Sequence, residues 1–140
     1  MAEQVLSHQF PFVMCNFAPP DMVGHTGKYP EAILGVEATD KAIGIIYEAC
    51  KKAGYVLFIT SDHGNAEKMV SETGEPHTAH TCAPGNLCIS LILVPFIMTS
   101  TEYKFKPKVK GALCDVAPTI LHVMGVSPPE EMTGQSLIQN

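Results

Sequence analysis

The order of segments in residues 12–60 constrains the fold more than any other feature of the chain. FVMCNF (Phe12–Phe17) is a short, mostly apolar run closed by Pro19-Pro20. It is too short for a helix and reads as a strand. From Pro30 to Ala53, apolar side chains recur at Ile33, Val36, Ala42, Ile45, Ile46 and Ala49, close to helical spacing. Pro30 suits a first-turn position, Lys51 and Lys52 suit the last turn, and Gly54 suits the stop, while Gly35 and Gly44 weaken the middle. VLFIT (Val56–Thr60) then reads as a buried strand. Strand, helix, strand at this spacing predicts a right-handed βαβ crossover and a parallel sheet.

Further along, a second apolar strand is expected within Cys88–Met98, and Lys104–Lys110 reads as a basic, Pro-containing loop. Asp115–Met124 reads as a helix. Asp115 is placed to cap it, Pro118 fits its first turn, Val116, Ile120, Val123 and Met124 form an apolar face, and Gly125 ends it. No internal repeat or low-complexity segment is present.

With 140 residues, the chain has one domain's worth of sequence. Its formal net charge of −5 argues against nucleic acid or an anionic membrane as the main partner. The longest apolar run, LCISLILVPFIM, is interrupted by Ser90 and Pro95 and falls short of the roughly 18 residues of a membrane span. MAEQVLSHQF lacks the basic and apolar regions of a secretory signal. The five cysteines form no CxxC pair, which fits a cytoplasmic setting with the thiols as small core residues.

Chemistry concentrates in three clusters: Asp21 with His25 in PDMVGHTG, Asp62-His63 in TSDHGN directly after VLFIT, and His77-Thr78-Ala79-His80. Taken singly, each also fits a turn, a cap or a solvated loop. Together they are expected at one sheet edge, because sites in open α/β sheets form beyond the carboxyl ends of strands. A carboxylate–imidazole set without thiolate suits manganese, zinc or another borderline-to-hard divalent ion. Its ligand number exceeds the need of one tetrahedral zinc and points to paired metals, as used in phosphoryl transfer. His8, His122, Asp40 and Asp115 are read as structural.

NFAPPDMVGHTG (Asn16–Gly27), TSDHGNAEKM (Thr60–Met69), HTAHT (His77–Thr81) and LCDVAPTILHVMGVSPPEEMTGQSL (Leu113–Leu137) closely resemble the cofactor-independent phosphoglycerate mutases of the alkaline-phosphatase superfamily. The resemblance implies an α/β fold. Residues 1–140 would be the C-terminal part of a metal-binding, three-layer phosphatase-like domain with a mostly parallel sheet, its N-terminal strands missing. It implies interconversion of 3-phosphoglycerate and 2-phosphoglycerate through a phosphoserine, with two Mn²⁺ ions, or Mg²⁺ or Co²⁺ in some members. By motif, Asp21, His25 and His80 match the ligands of one metal, and Asp62 and His63 match half of those of the other. His77 is then a neighbour of the site. Pro20 and Gly24 would shape a tight turn that aims Asp21 and His25 at one ion, and Gly27 would let the backbone leave at close quarters.

Two departures qualify the match. The nucleophilic serine and the substrate-clamping arginines of the family have no counterpart here: Ser61 does not match the nucleophile, and all nine basic residues are lysines. HTAHT is also followed by Ala83–Leu93 (APGNLCISLIL), where the family passes almost directly to a PVPFIM-like segment. Two other readings fit these residues: a catalytically inactive metal-binding fragment, and another metallohydrolase of the superfamily. Oligomeric state leaves no mark on the sequence.

Overall fold

The computed structural model describes residues 1–81 and 93–139. They fall into two compact units, Met1–Met98 and Thr99–Asn140.

The first unit is built on helices α1 (Ala2–Leu6), α2 (Pro19–Gly24) and α3 (Tyr29–Ala53) and strands β1 (Phe58–Thr60) and β2 (Phe96–Met98). Helix α3 begins within a residue of the expected position, with Pro30 in its first turn, and runs unbroken through Gly35 and Gly44. Gly54 caps it in the left-handed conformation, φ 73°, where a side chain would be strained. Val5 of α1 packs against Ile46, Ala49 and Cys50 of α3, with Phe17, Tyr55 and Leu57 partly buried around them.

The expected apolar face of α3 is only half covered. Ala32, Ile46, Ala49 and Cys50 are buried, whereas Ile33, Val36 and Ile45 are exposed. The helix packs on α1 and α2, and those two short helices are too small to cover its whole apolar width.

Two sheet expectations change. Phe12–Phe17 is not a strand; Phe12 is half exposed and Met14 is 80% exposed. A strand exists only through its ladder, and among the described residues nothing pairs with this run. The one ladder between strands among the described residues is antiparallel, with Phe58 opposite Met98, Ile59 opposite Ile97 and Thr60 opposite Phe96. Of the strand expected in Cys88–Met98, Phe96–Met98 forms, while residues 88–92 lie outside the described residues. So does Ala83–Leu93 except for Leu93.

The second unit carries a 3-10 turn (Leu113–Asp115) running into helix α4 (Val116–Val123), ended by Gly125 at φ 69°. Asp115 does not cap α4 with its side chain. Its carboxylate instead accepts the N–H of Ala112 at 2.8 Å and of Gln135 at 2.7 Å. These two backbone bonds outweigh burial and hold its carboxyl below the ordinary value. Thr119 is fully buried. Its hydroxyl donates to the Asp115 carbonyl at 2.6 Å and accepts the Leu137 N–H at 3.0 Å. Ile138 is buried with Pro118 and Thr119, and a short antiparallel bridge joins Phe105 to Ile138 within the otherwise irregular Lys104–Lys110 segment.

The thiols divide. Cys50 is in the core, and burial raises its pKa, whereas Cys15 and Cys114 are exposed, contrary to the expectation of core thiols.

Candidate metal centre

Pro19 and Pro20 start a helix here and do not shape a tight turn. Proline fits the first helical turn, where its missing N–H has no partner to lose. Asp21 lies in that turn and His25 caps the other end of α2, so i,i+4 spacing puts both side chains on one face.

Glycines admit the neighbouring loops. A Cβ on Gly24 would lie 2.6 Å from Asn65 Oδ1, so only glycine leaves room for this side chain. Asn65, 4% exposed, uses that room to donate from Nδ2 to Asp21 Oδ1 at 2.7 Å. Gly27 has φ 68°, and a Cβ there would lie 2.7 Å from Pro76 Cβ. The close approach brings the His77–His80 loop over α2, and His25 Nδ1 donates to the Thr78 carbonyl at 2.7 Å.

That bond has a chemical consequence. With a proton on Nδ1, His25 turns its Nε2 toward the site. It faces His80 Nε2 at 3.1 Å and Asp21 Oδ1 at 3.3 Å, and Asp21 Oδ1 lies 3.1 Å from His80 Nε2. His63 stacks on His80 with ring centroids 3.7 Å apart. Its Nδ1 is buried without a hydrogen-bond partner, 4.0 Å from Asp21 Oδ1. Asp21, His63 and His80 each offer a ligand atom within 4.8 Å of the others. A carboxylate and imidazoles gathered in this way are a donor set that suits a divalent cation. Burial raises the Asp21 carboxyl, but the Asn65 hydrogen bond and the three imidazoles prevail and hold it below its ordinary value.

Asp21, His25, His63 and His80 are therefore brought together. Asp62 stands outside the convergent group: its side chain is 86% exposed, with Oδ1 3.7 Å from His63 Nε2, the ring nitrogen turned away from Asp21. His77 is partly buried and is not among the converging groups; its N–H donates to the Met69 carbonyl. Among the residues read as structural, Asp40 is exposed on α3, and His8 and His122 lie beside Tyr55 and Tyr103.

Residue type alone does not single out Asn65, Glu67 and Thr81, yet all three serve the site. The Glu67 carboxylate accepts the Asn65 N–H at 2.7 Å through Oε2 and the Thr81 hydroxyl through Oε1. The Thr81 N–H donates to the Gly64 carbonyl at 3.0 Å. Burial raises the Glu67 carboxyl, and these hydrogen bonds with nearby His63 bring it below its ordinary value. Their signals in the sequence are the runs DHGNAE, in which Asn65 and Glu67 follow the candidate ligands Asp62 and His63, and HTAHT, in which Thr81 follows His80.

A carboxylate and three imidazoles, positioned by a helix end and two loops, make up a candidate metal site. The chain belongs to the Metalloenzyme superfamily, which it matches over residues 1–128. It is 60% identical over 139 residues to a 2,3-bisphosphoglycerate-independent phosphoglycerate mutase of Brugia malayi, covering 97% of this chain and 25% of that protein. It is 52% identical over 141 residues to that of Caenorhabditis elegans, covering 99% and 24%. The structure of Leishmania mexicana phosphoglycerate mutase at low cobalt concentration superposes with a TM-score of 0.80 at 28% identity, covering 99% of this chain and 26% of that one. The chain thus spans about a quarter of the length of the relatives it matches. Among the described residues, no helix is long and apolar enough to cross a membrane.

Proposed function

We propose that this chain is the C-terminal part of the metal-binding domain of a 2,3-bisphosphoglycerate-independent phosphoglycerate mutase. The convergence of Asp21, His25, His63 and His80 in a segment 60% identical to such a mutase supports this reading above all. Asp21, His25 and His80 would hold one divalent ion, taken as Mn²⁺ from the resemblance to the mutases; His63 with Asp62 would contribute to a second. Bound metal supplies Lewis-acid stabilisation of phosphoryl oxygens. The chain's own part is to present those ligands. Asn65 keeps Asp21 ionised and aimed, and the Thr78 carbonyl fixes the tautomer of His25.

The serine nucleophile and the cationic groups that hold phosphoglycerate come from outside these 140 residues. β1 and β2 are read as part of a three-layer, mostly parallel sheet completed by the rest of the protein. The exposed thiols Cys15 and Cys114 suit a reducing cytoplasm.

Two experiments test the reading. Calorimetric titration should show Mn²⁺ binding to the chain that is lost in His80→Ala; unchanged binding in that variant would sink the ligand assignment. A chimera in which this chain replaces the matching quarter of the Brugia malayi relative should convert 3-phosphoglycerate to 2-phosphoglycerate. A folded, Mn²⁺-binding chimera without activity would favour the second reading, a metal-binding module without phosphoryl transfer, which the lack of any arginine supports.

A further inference from the structure

Glu67 is not among the converging ligands, yet it is tied to every loop that carries one. Its Oε2 accepts the N–H of Asn65, whose side chain donates to Asp21 Oδ1 at 2.7 Å. Its Oε1 accepts the hydroxyl of Thr81, the residue after His80. Thr81 in turn donates its N–H to Gly64, the residue after His63. One carboxylate thus joins α2, the loop of His63 and the loop of His80. A Cβ on Gly64 would collide with both the Glu67 carboxylate and the Thr81 hydroxyl, so the position is shaped around this junction.

We propose that Glu67 is a positioning residue for the metal centre: a clasp that sets Asp21, His63 and His80 at their mutual distances without ligating the ion. The inference rests on the metal-binding reading above. Partners that orient metal ligands typically carry a 10–100-fold share of affinity. A clasp also makes a demand that a ligand does not, because its work is done by hydrogen bonds and not by charge. A glutamine at 67 can accept the Asn65 N–H through its oxygen and donate its amide to the Thr81 hydroxyl, which accepts as readily as it donates. Glutamine should therefore serve where alanine fails.

The test is Mn²⁺ titration of the full 140-residue chain and its variants, each shown by circular dichroism to be folded at the temperature used. Glu67→Ala should weaken binding about 10-fold or more. Glu67→Gln should stay within about 3-fold of the parent chain. Thr81→Val removes one arm of the clasp by a single group and should fall between them, and it keeps the test readable if Glu67→Ala unfolds. Binding by Glu67→Ala or Thr81→Val equal to the parent would overturn the clasp. So would a Glu67→Gln as weak as Glu67→Ala, since charge and not hydrogen bonding would then be at work. If the parent chain itself binds no Mn²⁺, the metal-binding reading fails, and this inference falls with it.

Discussion

Replacing Gly24 with alanine isolates the contact that aims Asp21. Position 24 lies in α2, where alanine is better than glycine by about 1 kcal/mol on helix propensity alone. The added Cβ would stand 2.6 Å from Asn65 Oδ1 and 3.0 Å from its Cγ, well inside van der Waals contact. Asn65 is 4% exposed, and its amide cannot retreat without releasing Asp21 Oδ1. A hydrogen bond to a charged group, lost with its donor left buried, costs about 1.5–3 kcal/mol. Against the propensity gain, the net is a destabilisation of about 0.5–2 kcal/mol. Urea unfolding followed by circular dichroism reads it as a lowered midpoint with an unchanged slope. The same change made in Asn65→Ala should be neutral or stabilising by up to about 1 kcal/mol, because the obstruction is gone. A stabilising Gly24→Ala in the parent chain would refute the close approach and with it the account of how Asp21 is held.

Asp115→Asn should destabilise the second unit by about 1–2 kcal/mol through its two backbone bonds, read by thermal unfolding. Because the Asp115 carboxyl is lowered in the folded state from an ordinary 3.8, its contribution is present above that pH and fades as pH falls below it. The variant should accordingly lose part of the acid dependence of unfolding below pH 3.8. Thr119→Val should cost about 1–3 kcal/mol by leaving the buried Leu137 N–H without an acceptor, whereas Thr119→Ser should recover most of it; equal losses in both would point to packing instead. Under native conditions a thiol reagent with peptide mass mapping should label Cys15 and Cys114 and spare Cys50 until the chain unfolds.

Helix α3 is legible from local signals alone. Its proline, its terminal lysines and its closing glycine act within a turn or two of where they stand, so they can be read without knowing the fold. Phe12–Phe17 cannot be settled that way, because an apolar run says nothing about whether a neighbouring strand is there to receive its hydrogen bonds. The candidate ligands stand out by residue type and spacing, and four of them do converge. The groups that hold them do not stand out. Asn65 reaches Asp21 across 44 residues, Glu67 reaches Thr81 across 14, and Asn and Glu in a polar loop look like any solvated pair until the loops meet. The two prolines mark a boundary, but whether they close a strand or open a helix depends on which segments lie beside them in space.

The apolar run Phe12–Phe17, exposed at Phe12 and Met14, bears on how long such a chain persists in a cell. An apolar stretch with its backbone unpaired is what holdase chaperones grip and what proteases cut, and each encounter removes molecules before they can act. The abundance of this polypeptide should therefore track how quickly that stretch is covered after synthesis. Two cells making it at the same rate would hold very different amounts if only one supplied a cover.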